Sequence, residues 1–312
     1  MNRYEPEGRR ITTPGNQRAC GSESGLREAM EHQWILEGWG ARIGSPKMDL
    51  LVKLGGGLVG RIPHDEGALG MEDGTTRDIA LITRVGKPVC FVVTGFEEGP
   101  DGSVRPVLSR RRAQQLCREE YLDRLVPGDI LDARVTHLEP FGCFVDIGCG
   151  ISSLIPIDAI SVSRIAHPSD RFRVGMEIRA VVRGRDDRGR ITLTHRELLG
   201  TWEENAAGFA AGDTVPGVVR SVEDYGIFIE LTPNLAGLAE PRGGVRPGQR
   251  ATVTVKSLNP ARMKVKLILV DSFDAPGAPW EMKYFVQEDH IDRWEYSPAG
   301  CARRIFTDFT VL

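Results

Sequence analysis

Apolar and polar residues alternate in short runs along most of this 312-residue chain. In Phe144-Val145-Asp146-Ile147, Val145 and Ile147 share one face and Phe144 shares the other with Asp146. That is the pattern of a strand with one buried side. Residues 178–183 alternate in the same way: Ile178, Ala180 and Val182 point inward, Arg179 and Arg183 outward. Residues 190–194 follow suit, with Arg190, Thr192 and Thr194 outward, and Asp186-Asp187-Arg188-Gly189 between the two runs predicts a hairpin turn. Five such strands in about 70 residues make a small closed barrel. The longest apolar runs, such as 89–93, are too short for a membrane-spanning helix.

The strand pattern repeats. Val135, Glu139, Phe141, Gly142, Phe144 and Asp146 find counterparts in Val219, Glu223, Tyr225, Gly226, Phe228 and Glu230, at a constant offset of 84. Later pairs, such as Leu193 with Leu267, are offset by 74, so the third unit has lost about ten residues from a connecting loop. A weaker copy lies upstream, where Val52-Lys53-Leu54-Gly55 answers Val145-Asp146-Ile147-Gly148. There, Val107-Leu108-Ser109-Arg110 answers Thr192-Leu193-Thr194-His195. The fold expected is all-β: three tandem five-stranded barrels at 25–118, 126–199 and 211–271. Charged helical connectors are expected at 111–125 and 196–209.

The net charge is −3, but it is unevenly spread. Residues 164–196 hold nine Arg against four acids, and residues 210–270 hold eight Lys or Arg against five acids. The middle of the chain can therefore face a polyanion. Six dispersed Cys form no C-x-x-C pair, and the N-terminus has no apolar leader, which together predict reduced thiols in a cytoplasm. No metal-ligand cluster, nucleotide-triphosphate loop or catalytic constellation stands out. No catalytic residue, metal or cofactor is expected, and the chain is read as a binder rather than an enzyme. Gly55-x-Gly57-x-x-Gly60 matches a dinucleotide fingerprint, but Arg61-Ile62-Pro63 follows instead of a helix, so it is read as a tight hairpin.

An outward Phe at the same place in two copies is unusual. Phe144 and Phe228 stand on the outer face, and Phe141 and Tyr225 precede them by three residues. Gly142 and Gly226 lie between, where a turn or bulge can bring both rings to one surface. Every base has a π-face and each stack is worth ~1–3 kcal/mol, so paired exposed rings fit a platform for unpaired bases. Arg179, Arg183 and Arg190 in the second unit, with Lys256, Lys264 and Lys266 in the third, are placed to track phosphates.

The second unit reads Phe141-Gly142-x-Phe144-Val145-Asp146-x-Gly148, then Ile155-Pro156, Val174-Gly175-x-x-Ile178 and Asp186-x-x-Gly189-Arg190-Ile191-x-Leu193-Thr194. This resembles the RNA-binding repeat of bacterial ribosomal protein S-1, an OB-fold barrel, and the repeat number resembles the short form of that family. The resemblance implies RNA contacts at Phe141, Phe144, Asp186 and Arg190, and at Tyr225, Phe228, Asn259 and Lys264. The family's frequent His after the third strand is replaced by Pro156 and Glu240. Met48 and Leu51 stand where the first unit would carry rings, so it should bind RNA poorly. By analogy it would instead dock the chain on the small ribosomal subunit.

The function expected is binding of single-stranded RNA, as mRNA at the small ribosomal subunit, with neither a membrane nor a small-molecule substrate as partner. The alternative is a ribosome-independent factor in RNA decay or transcription, and a repeat-bearing enzyme is less favoured. Residues 272–312 carry eight aromatics, among them Trp280, Tyr284, Phe285, Trp294, Tyr296, Phe306 and Phe309. They predict a β extension with strands near 283–287, 291–296 and 304–309. Residues 1–24 show no periodicity and are expected to be flexible.

Overall fold

A computed structural model of the chain describes residues 4–44, 47–99, 102–275 and 282–311. Trp280, counted above, lies outside the described residues. Fifteen of the strands close into three five-stranded barrels. The first barrel is β1 (Leu36–Gly44), β2 (Asp49–Lys53), β3 (Val59–Ile62), β4 (Pro88–Glu98) and β5 (Val104–Ser109). The second is β6 (Ile130–Glu139), β7 (Gly142–Asp146), β8 (Ser152–Pro156), β9 (Glu177–Arg185) and β10 (Ile191–Thr194). The third is β11 (Thr214–Glu223), β12 (Gly226–Thr232), β13 (Leu235–Ala239), β14 (Arg250–Asn259) and β15 (Lys264–Phe273).

All three share one order: the first three strands in sequence, then the fifth, then the fourth, which closes on the first. The pairing of third with fifth strand is parallel in each, at Arg61↔Val107, Leu154↔Thr192 and Leu238↔Lys266. This is the OB type of barrel. The inward residues follow the alternation. Leu50, Val52, Val89, Phe91 and Leu108 fill the first barrel. Val145, Ile155, Ala180, Val182 and Leu193 are buried in the second, and Ile227, Ile229, Val253, Val255 and Leu267 fill the third.

Two compact units result. One runs to Leu125 and takes in Asp146–Ser152, and the other comprises Val126–Val145 and the residues from Ser153 onward. In the first unit, α1 (Pro14–Cys20) and α2 (Glu23–Glu31) precede the barrel. Helix α3 (Ile79–Ile82) lies between β3 and β4, and α4 (Arg110–Glu120) follows β5. The N-terminal residues, expected to be flexible, are instead tied down. Thr13 caps α1 by accepting from Asn16 N–H, and the Glu37 carboxylate accepts backbone N–H groups of Gly8, Arg10 and Ile11. Such anchoring leaves no periodic trace, because the partners are backbone amides rather than side chains.

Helix α5 (Trp202–Ala206) forms part of the connector between the second and third barrels, capped by Thr201 and Glu204 acting reciprocally. The two barrels are joined by a buried ion network. Arg171 reaches Glu230 at 2.5 Å, and Arg220 holds Glu230 at 2.8 Å and Asp170 at 3.0 Å. The C-terminal extension packs on both barrels of this unit. Trp294 and Tyr296 enter the third barrel's core cluster, while Phe309 packs with Val181 and Leu198. Of the three strands expected there, two form, as β16 (Arg293–Glu295) and β17 (Phe306–Asp308). Residues 283–287 join no ladder, because their polar groups bind the second barrel and its flank one at a time. Phe285 N–H donates to Leu198 O, and Tyr284 Oη accepts from Arg179 N–H. No described helix is long and apolar enough to cross a membrane.

Candidate nucleic-acid interface

The ring pairs are built twice with the same geometry. Phe141 and Phe144 lie 6.0 Å apart between centroids, edge to face at 89°. Tyr225 and Phe228 lie 6.1 Å apart at 86°. Phe141 is 56% and Tyr225 67% exposed, which is far more than an aromatic ring needs for packing alone. Phe144 and Phe228 are half-buried at the strand surface.

Gly142 and Gly226 make this geometry possible. A Cβ on Gly142 would come within 2.5 Å of Ile155 O and 3.0 Å of the Leu154 side chain. On Gly226 it would meet Ala239 O at 2.7 Å and Leu238 at 2.8 Å. The strand after each turn therefore runs tight against its neighbour, and the two flanking rings meet above it.

The register relates the basic residues to the rings most directly in the third barrel. In the third barrel Phe228 pairs with Leu238, Leu238 with Lys266, and Lys266 with Ser257. Lys266 is thus two strands from Phe228, ~10 Å away across the sheet. In the second barrel Leu154 pairs with Thr192 and Thr192 with Gly184. A β-bulge follows in both barrels. The register skips Arg183 between Gly184 and Val182, and Lys256 between Ser257 and Val255. Arg183 and Lys256 are exposed at these bulges, and Arg183 lines a cleft with Phe306 and Thr307 of the C-terminal extension. The Lys256 ammonium lies 4.0 Å from Glu240.

Asp186 and Arg190 sit at the β9–β10 turn as a 2.7 Å ion pair. Asp186 also accepts the N–H groups of Arg188 and Arg190, and bonding to Arg190 holds its carboxyl below the usual range. Its first work is to form the turn. In the third barrel Asn259 takes this part, accepting from Arg262 N–H, and Met263 adopts left-handed backbone in the longer turn before exposed Lys264.

Three expectations are corrected. Arg179 points outward, but its guanidinium donates to Val286 O at 2.6 Å and Glu288 O at 2.7 Å. It holds the C-terminal extension and is not available to RNA. Asp146 and Glu230 share the outward face with the rings, yet both are buried. Asp146 accepts N–H groups of Glu7, Gly148 and Gly150, and burial with Glu7 nearby pushes its carboxyl up to about 7. Glu230 is taken by Arg171 and Arg220. Alternation tells inside from outside of a barrel, but not what covers the outside. Arg171 and Arg220 themselves escaped sequence reading, because nothing in a strand pattern marks a charged residue as buried.

In the first barrel the same surface is built differently. Leu51 pairs with Arg61, and Arg61 with Val107. Arg61 grips Glu97 through two bonds of 2.7 Å and Asp49 through one of 3.0 Å. The Gly55–Gly57 motif forms a tight turn between β2 and β3. All six cysteines are buried and unbridged, and burial pushes the Cys143 thiol up to about 12. Among the described residues no group of three or more His, Cys, Asp or Glu side chains is placed to hold a metal ion.

Residues 125–196, the second barrel with its flanks, match the sequence model of the "S1 RNA binding domain" family. The chain is 30% identical over 182 residues to "Small ribosomal subunit protein bS1" of Leuconostoc lactis, covering 53% of this chain and 42% of that one. It is 29% identical over 188 residues to the protein of the same name from Rhizobium meliloti, covering 56% and 33%. It is 31% identical over 213 residues to "Small ribosomal subunit protein bS1 homolog" of Bacillus subtilis, covering 63% and 55%. The chain thus spans between a third and just over half of the length of these relatives.

Proposed function

From the premise that this chain belongs to the bacterial ribosomal protein S-1 family, we propose that it binds single-stranded RNA through the ring pairs of its second and third barrels. The observation that carries this reading is the exposed edge-to-face pair, repeated at one register in two barrels, with Lys266 two strands from the pair in the third. Bases stack on Phe141, Phe144, Tyr225 and Phe228, and phosphates meet Arg183, Arg190, Lys256, Lys264 and Lys266. Sequence preference is modest, because stacking reads few base edges. The work is binding rather than catalysis, on mRNA in the cytoplasm.

The first barrel carries neither ring and its Arg61 is saturated by carboxylates, so it is assigned to a protein contact, with the small ribosomal subunit as partner. Both parts are testable. Fluorescence anisotropy with an unstructured RNA of about 12 nucleotides, within the reach of one or two such barrels, compares the native chain with a Phe141→Ala, Phe144→Ala, Tyr225→Ala, Phe228→Ala variant of verified fold. At least a tenfold loss is expected, and equal binding would make the rings structural. Co-sedimentation of the full chain with purified small subunits separates the ribosomal role from a factor acting on free RNA.

A further inference from the structure

A third ring stands beside the second barrel's pair. His137 lies on β6 next to Phe144, its ring centroid 6.5 Å from that of Phe144 and tilted 33° to it. Its neighbour Thr136 donates from Oγ1 to Phe144 O, which sets β6 against β7 at this point. Phe144 is thereby the middle of three rings, with Phe141 on one side and His137 on another. The imidazole is exposed, and its Nε2 lies 2.7 Å from Glu139 Oε1. The third barrel has Ser221 in this place, paired directly with Phe228, and the first has Arg42, paired with Leu51.

We propose that His137 is a third RNA-contacting ring of the second barrel, which widens its stacking platform beyond Phe141 and Phe144. This rests on the RNA-binding reading above. The imidazole is held by Glu139 of its own strand and lies against the Phe144 ring presented by β7. Every base has a π-face, so a third exposed ring adds a place to stack. Ser221 offers the third barrel no such ring.

The test is RNA anisotropy on the full chain at fixed pH and ionic strength, with folding checked for each variant. In a Tyr225→Ala, Phe228→Ala background, which isolates the second barrel's rings, adding His137→Ser is expected to weaken binding about fivefold or more, and adding His137→Tyr, which keeps a ring, should hold it. Equal binding by the His137→Ser chain while RNA is still bound, or an equal loss with His137→Tyr, overturns the assignment of His137 and leaves the RNA reading standing. RNA binding that is absent, or indifferent to all four Phe and Tyr rings, overturns the RNA reading and this assignment with it.

Discussion

Leu51 in the first barrel and Phe144 in the second occupy one point of one strand order, yet the surfaces around them have opposite characters. Around Phe144 lie an exposed second ring and a glycine that lets it close in. Around Leu51 lies Arg61, locked between Glu97 and Asp49. Two residues further on, the first barrel has exposed Lys53, where the second has buried Asp146 and the third buried Glu230. After the last strand, Arg110 and His195 correspond. Arg110 is buried against Glu7 at 2.7 Å, whereas His195 is buried as a neutral ring. Its Nδ1 lies 2.9 Å from Ile160 O and its Nε2 3.2 Å from Tyr284 Oη. The barrel is common property, and what each copy does is written in side chains that the barrel does not need.

The largest test of this contrast uses the residue two places after the ring position. Glu230→Ala strands Arg171 in a dry site, and the unit holding the second and third barrels should lose about 3–5 kcal/mol. Lys53→Ala in the first barrel should stay within about 0.5 kcal/mol. Calorimetric unfolding reads both, and comparable losses would erase the distinction.

The ring positions come next. Phe141→Ala with Phe144→Ala should weaken RNA binding about tenfold or more. Met48→Ala with Leu51→Ala should change it less than about twofold, because those positions offer no π-face. If the first-barrel pair matters as much, the first barrel also contributes to RNA binding.

Acid should then move the two units in opposite directions. Burial holds His195 down at about 4, so its stabilising neutral form is complete above the ordinary imidazole range and is lost as pH falls through about 6.5 to 4. Burial pushes Glu37 and Asp146 up to about 7, so their contribution is complete below about 4 and is lost as pH rises toward 7. Burial opposes ionisation of Glu7 too, but Arg110 and Arg84 prevail and hold it at about 2, so it stays ionised at pH 5. From pH 7.5 to 5 the second unit should lose on the order of 2 kcal/mol, and the first, with Glu37 and Asp146 together, should gain on the order of 4–5 kcal/mol. Two resolved thermal transitions shifting the same way would contradict this. The smallest effect is Asp186→Asn, which keeps the turn acceptor, as Asn259 does in the third barrel. RNA affinity should change less than about threefold, because the lost pair with Arg190 is exposed.

Most of the barrel was legible because it depends on period-two alternation, which Val145, Ile147, Ile229 and Leu231 obey. The ring pairs were legible for the opposite reason: Phe144 and Phe228 break the expectation that an outward position is polar. What escaped was everything that reaches a barrel from outside it. Arg179 reads as a free cation until a segment more than a hundred residues later supplies its carbonyl partners. Asp146 reads as solvated until the N-terminal Glu7 amide is placed beside it. The extension's strands were overcounted because aromatic density marks burial without saying whether a neighbouring strand or isolated bonds provide it.

The C-terminal extension also gives the chain a clock. A polypeptide is made from its N-terminus, and domains fold in the order in which they emerge. The second and third barrels can each close as soon as their fifth strands are out. Tyr284, Trp294, Tyr296 and Phe309, which fasten them to one another, come after both. During synthesis the two barrels therefore meet first through the Arg171–Glu230–Arg220 network alone, and the extension's fastening is added last. A nascent chain or a fragment stopped before Trp294 would have both sets of rings and the ion network, but not the brace of Trp294, Tyr296 and Phe309.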